Sequence, residues 1–189
     1  MLALTMKKSL FLLLGFTLFL AACGGGTTVA KCDQDYWDGT YGTCLPAGWA
    51  VVDRETLRQR GVPDETIAAF KAEASVSGQF PSITVTREAL SQPMTPNDYS
   101  EASMRSVSVL PGYSLADTKK VTIDGESLSL HIFTAQPVET DPARRFYQLS
   151  TSKDSVGYTV TAAVPMFIDD SVESEVLLIL KSSTLVQPE

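Results

Sequence analysis

The stretch FYQLSTSKDSVGYTVTAAV, residues 146–164, decides the fold. Val156, Tyr158, Val160, Ala162 and Val164 keep a strict period of two. Successive side chains of an extended chain point to opposite faces, so this spacing marks a strand with one apolar face, not a helix. Lys153-Asp154-Ser155 separates it from Phe146–Thr151 and supplies the turn of a hairpin. Pro165 ends the strand, because proline cannot donate a ladder hydrogen bond.

The same grammar extends outward. Val121 and Ile123 alternate into Asp124-Gly125, a two-residue hairpin signal, and Leu128, Leu130 and Ile132 alternate out of it. His131 falls on the opposite face with Ser127 and Ser129, as an exposed strand histidine. Residues 137–142 read as a polar loop and 113–115 as a short extended piece. Ile83 and Val85 alternate within 80–87, a half-buried strand. Thr95-Pro96-Asn97-Asp98 caps a helix carrying Tyr99, Ala102, Val107 and Leu110, ended by Pro111-Gly112. Asp169-Asp170-Ser171 opens a last helix with a stripe of Val172, Val176, Ile179 and Leu180. Nearer the start, Leu45 to Trp49 turn into a short strand, Ala50 to Val52, with Trp49 buried. Asp53 caps a helix over 54–60 that Gly61 stops, and Pro63 sits in the first turn of a second helix over 64–75. Ile67, Ala68 and Phe70 give that second helix its apolar side, and Gly78 breaks the pattern. Such an order predicts an α+β domain, a twisted antiparallel sheet with helices packed on it.

In this order the chain presents a Pro-x-Gly-Trp lead-in (Pro46 to Trp49), a strand, a capped helix and the Asp124-Gly125 hairpin. A long strand pair containing Tyr158-Thr159-Val160-Thr161 and a closing helix follow. The pattern over 41–186 resembles the PsbP/MOG-like α/β/α sandwich of the DcrB type. The resemblance implies binding or assembly work and no catalysis. Two features depart from it, a cysteine-closed loop and the helical insert over 53–75.

The N-terminus carries an address. Lys7 and Lys8 precede an apolar run from Leu10 to Ala22, too short for a spanning helix of about 20 residues. Leu20-Ala21-Ala22-Cys23 resembles the bacterial lipobox, which implies removal of residues 1–22 and acylation of Cys23. Two or three acyl chains give stable anchoring where one is marginal. Met6 serves as a start as well as Met1, since 1–5 add nothing a signal needs. Residues 23–31 read as a tether, and 32–189 as one domain.

Without residues 1–22, which hold two lysines and no acids, the net charge falls from −7 to −9. Nucleic acid is excluded as a partner, because phosphate binding needs clustered Lys and Arg. Of the three cysteines, Cys23 takes lipid, and Cys32 and Cys44 pair in an oxidising compartment. Zinc fails as the alternative, since His131 is the one histidine. Between the paired cysteines lie Asp33, Asp35 and Asp38 with Tyr36, Trp37 and Tyr41. In calcium-loop register from Asp33, Trp37 stands at position 5, Asp38 at 6 and Cys44 at 12, where an acid is needed. The plainer reading is a surface loop whose aromatics pack on the domain edge, and the sharper one makes Tyr36, Trp37 and Tyr41 a contact patch for a partner.

Catalytic patterns are weak. Gly125-Glu126-Ser127-Leu128-Ser129 misses a nucleophile elbow by its last residue and follows a hairpin turn. Asp169, Asp170 and Glu173 sit at a helix start, where the dipole accounts for them. Arg144-Arg145 is a two-residue basic spot, and Gly24-Gly25-Gly26 follows no strand and is no phosphate loop. The sequence thus predicts a lipid-anchored, non-enzymatic binding or accessory protein of the bacterial envelope, with no cofactor or metal and another envelope protein as partner. Gly24 follows the cysteine in place of the aspartate that lipoprotein sorting rules associate with inner-membrane retention, so the lipobox resemblance implies the outer membrane, facing the periplasm, in a double-membraned host. In a single-membraned host it would sit on the outer face of the plasma membrane. The alternatives are a hydrolase using His131 or a carboxylate pair, and a metal module at Asp33, Asp35 and Asp38.

Overall fold

A computed structural model describes residues 29–187. The signal stretch, Cys23 and most of the tether lie outside the described residues. The strands are β1 (Gln34–Trp37), β2 (Gly42–Leu45), β3 (Trp49–Val51), β4 (Thr66–Ala72), β5 (Ser82–Ala89), β6 (Ser114–Ile123), β7 (Glu126–Ala135), β8 (Arg144–Lys153) and β9 (Val156–Pro165). The helices are α1 (Arg54–Gln59), α2 (Pro96–Val107) and α3 (Asp170–Lys181).

Seven strands form one antiparallel sheet in the order β3-β4-β5-β9-β8-β7-β6. Two meanders, β3 to β5 and β6 to β9, join where β5 pairs with β9 along its length. Three tight hairpins turn through consecutive positive φ values, at Ser77-Gly78, Asp124-Gly125 and Asp154-Ser155. These left-handed pairs match the twist of the flanking strands. α2 connects β5 to β6 and contacts β7 and β8, while α3 follows β9 and contacts β2 and β6. Each helix starts as its sequence dictates: Asp53, Thr95 and Asp169 cap α1, α2 and α3 by accepting from the backbone N–H three residues on.

One sheet face is apolar. Phe70, Ile83, Val85, Leu128, Leu130, Ile132, Tyr147, Leu149, Val160, Ala162 and Val164 form a single cluster with Val176, Ile179 and Leu180 of α3. Tyr41, Leu45 and Trp49 join the same cluster. The Trp49 indole N–H donates to Glu175 Oε2 at 2.9 Å, fixing the start of β3 to α3. No helix among the described residues is long and apolar enough to cross a membrane.

Two expectations are corrected here. The second helix over 64–75 is the strand β4, paired to β3 and β5 with a bulge between Thr66 and Ala68. Ile67, Ala68, Ala69 and Phe70 are all buried, and a strand covered on both faces reads as a continuous apolar run that helical spacing also fits. The cysteine-closed loop is itself a two-stranded ribbon, β1 with β2. The Cys32–Cys44 disulfide is present, with Cα atoms 5.5 Å apart. Gly42 exchanges both backbone hydrogen bonds with Thr184, so the ribbon also ties down the C-terminal segment.

Candidate functional site

The second sheet face is polar, and α2 lies over part of it. Gln148 and Ser150 of β8 stand opposite Thr161 and Thr159 of β9, with His131 of β7 opposite Gln148. Ser103 of α2 accepts from Gln148 Nε2 at 2.6 Å and from Ser150 Oγ at 2.9 Å, and Ser150 lies 3.0 Å from Thr159 Oγ1. The Tyr99 hydroxyl donates to Glu88 Oε1 at 2.8 Å. Burial pushes the Tyr99 phenol up to about 12, with Thr159 lowering it and Glu88 raising it. Gly157 has no side chain for a steric reason, because a Cβ there would overlap the Tyr99 ring.

Beside this seam, between α2 and the sheet, lies a cavity of about 500 Å³. Thr86, Thr159, Thr161 and Gln148 line it from the sheet, and Ala102, Ser103, Ser106 and Val107 from the helix. Phe133 and Phe146, stacked at 5.2 Å, close one side, and Glu65, Arg87 and Glu88 bring charge to another. Such a volume suits a small ligand, and the hydroxyl and amide groups suit one with polar groups. Sequence reasoning passed over these residues. The available signal was the alternation of Gln148, Ser150 and Ser152 opposite the apolar row of β8, facing Ser100 and Ser103 one turn apart on α2.

His131 is not the exposed histidine expected. It is half-buried between β7 and α2, its Nε2 3.4 Å from Ser100 Oγ, and its Nδ1 is buried without a partner. A polar strand face is no proof of solvent when a helix with polar residues covers it. Among the described residues Ser100 is the one hydrogen-bond partner of this ring, and no carboxylate reaches it. Burial first, and the Lys120 charge second, hold the imidazole below its ordinary value. The unfolded chain therefore takes up the proton first as pH falls. Stability from the neutral ring is whole above the unfolded pKa of about 6.5 and declines as pH falls through it toward the folded value. Going from about pH 7.5 to about pH 5.5, wild type should lose more in Tm than His131→Gln, whose side chain does not titrate. Parallel Tm profiles would contradict the assignment.

The remaining sequence candidates separate. Tyr41 is fully buried, its hydroxyl 2.9 Å from Ser183 Oγ and its phenol pushed up to about 12 by burial. Tyr36 packs edge-on against Phe70 at 5.0 Å, and Trp37 is half-buried beside Gly42. Tyr36 and Tyr41 thus hold the ribbon to the domain, Trp37 packs within the ribbon, and Tyr41 offers no surface to a partner. Asp33, Asp35 and Asp38 do not converge. The Asp38 carboxylate accepts from Thr40 N, Thr40 Oγ1 and Tyr41 N within its own turn. Among the described residues the one trio with metal-ligand proximity is Cys32, Asp35 and Cys44, and its sulfurs are bonded to each other. Arg145 is half-buried with Nε unpartnered, and burial raises the neighbouring Tyr147 phenol, whose hydroxyl is also unpartnered.

No protein-family profile and no curated protein matches the chain. Solved structures do. Cyanobacterial PsbP (CyanoP) from Synechocystis sp. PCC 6803 aligns with a TM-score of 0.56 at 18% identity, covering 88% of this chain and 99% of that one. LpqN, described as involved in cell envelope biogenesis of Mycobacterium tuberculosis, aligns with a TM-score of 0.50 at 11% identity, covering 80% of this chain and 88% of that one. At such identities the likeness shows the fold, a PsbP-like α+β sandwich with helices on both faces of an antiparallel sheet.

Proposed function

We propose that this chain is a bacterial envelope lipoprotein, anchored through Cys23, that works by binding or assembly and not by catalysis. The observation that carries the reading is the Cys32–Cys44 bridge. Such a bond persists where thiols are not kept reduced, and it lies nine positions after the lipobox-like cysteine of an export signal. The cavity under α2 supports the binding half of the reading. Gln148 and Ser103, which line it, are hydrogen-bonded to each other, and its hydroxyl and amide groups can exchange such bonds for bonds to a ligand. The envelope role described for the mycobacterial protein of like fold agrees with this. Its partner on this reading is another envelope protein, and its address the outer membrane of a double-membraned host.

A clickable fatty acid supplied to growing cells should label the wild-type protein and leave Cys23→Ala unlabelled and soluble after membrane sedimentation. A Cys23→Ala protein that still labels and still sediments would sink the anchor.

The proximity of Ser100 to His131 favours a second reading, a hydrolase. That reading requires a fluorophosphonate probe to label wild type and spare Ser100→Ala; an unlabelled wild type removes it.

A further inference from the structure

The chain enters the domain at one place. The Ala30 amide donates to Ser174 Oγ at 2.9 Å, in the second turn of α3. Val29 and Ala30 border a cavity of about 600 Å³ that Lys119, Leu177 and Lys181 also line. Cys23 is seven residues before Ala30. Seven fully extended residues span at most about 25 Å. Helix and sheet layers stack at roughly 10 Å, so the outer surface of α2 lies on the order of 25 Å from the axis of α3. That maximum reach would only just bring Cys23 level with the far side of α2, with the path around the sheet edge still to cover. A bilayer holding the acyl chains of Cys23 thus meets the α3 side of the domain.

That side has an apolar tip. Phe167 is 83% exposed and Val29 is 78% exposed. Phe167 stands two residues before Asp169, the cap of α3, and Ser174 lies about 7.5 Å further along that helix axis. Both exposed apolar groups therefore sit at the end where the chain enters. Aromatic side chains favour the boundary between headgroup and acyl chain. Asp169 and Asp170 lie beside Phe167 in a protein of net negative charge, so anionic lipid offers no attraction. The contact rests on the tether and on apolar burial.

We propose that the N-terminal end of α3, with Val29 and Phe167, lies against the lipid surface, and that the cavity under α2 faces away from it. The inference rests on acylation of Cys23. The acylated protein, purified from bacterial membranes, is reconstituted in phosphatidylcholine vesicles containing a lipid spin-labelled near the headgroup. Tryptophan is introduced by Phe167→Trp or, at a residue 82% exposed just beyond α2, by Val109→Trp. Emission is read as the difference from the parent, which has Trp37 and Trp49. The Phe167→Trp signal should shift to the blue and be quenched roughly twofold more than that of Val109→Trp. Equal quenching, stronger quenching of Val109→Trp, or none in either overturns the orientation. Flotation separates the two ideas. A parent that floats with the vesicles and fails the quenching test leaves the anchor standing and removes the orientation, whereas a parent that does not float removes both.

Discussion

Phe70→Ala is expected to cost about 3–5 kcal/mol of folding stability, the range for truncating a fully buried phenylalanine. Phe70 is 0% exposed, faces Val51 across β3 and Ile83 across β5, and takes the Tyr36 ring edge-on at 5.0 Å. One side chain therefore links the short meander to the core and the disulfide-closed ribbon to both. Its removal leaves a cavity that β4, fixed by ladders to β3 and β5, fills poorly. Phe70→Leu retains most of the volume and should cost much less. Urea unfolding followed by circular dichroism measures both. A Phe70→Ala protein within about 1 kcal/mol of wild type would mean that β4 is not a central strand.

Breaking the Cys32–Cys44 bridge should cost about 3 kcal/mol, since the cysteines are 12 apart in sequence and the bond chiefly restricts the unfolded chain. The ribbon it closes also places Tyr41 and Leu45 in the core, and the Thr43 hydroxyl donates to Ile179 O at 2.6 Å. Loss of the bridge is thus felt at α3 as well as in the loop. Reductant on wild type and a Cys32→Ser, Cys44→Ser protein without reductant should show the same lowered denaturation midpoint. Reductant that leaves the midpoint of the folded, accessible protein unchanged would show that the bridge does not constrain the chain.

Local chemistry was readable wherever it was self-contained. The Asp124-Gly125 and Asp154-Ser155 turns, the caps Asp53 and Thr95 and the burial of Trp49 each depend on a few adjacent residues, and the structure places them as the pattern predicts, whereas α3 is capped by Asp169, one residue before the Asp170 and Glu173 pair that suits an N-terminus. β4 was not readable, because Ile67-Ala68-Ala69-Phe70 owes its strand to partners on both sides. The ribbon was missed for a related reason: Asp33 to Trp37 has no apolar alternation, and its strand pairing is held by the bridge and by Thr184. The candidate site was the least legible part. Gln148, Ser150, Thr159 and Thr161 look like a solvated face until Ser103 and Tyr99 are brought down on them from a helix some 50 residues earlier in the chain, as the sequence separations of 45 and 47 record.

The two covers of the sheet differ in kind. α3 gives Val176, Ile179 and Leu180 to the core, so lifting it would expose the apolar face of the molecule to water. α2 fully buries only Tyr99 and Ser100 of its own residues, and the part of its seam around Ser103 is hydroxyl and amide hydrogen bonds that water can replace at little net loss. The fold is in this respect a welded plate and a latch. α2 is therefore expected to open at lower cost than α3, and amide hydrogen exchange in the two helices measures the difference. A molecule lodged beneath it would draw part of its affinity from holding that latch shut.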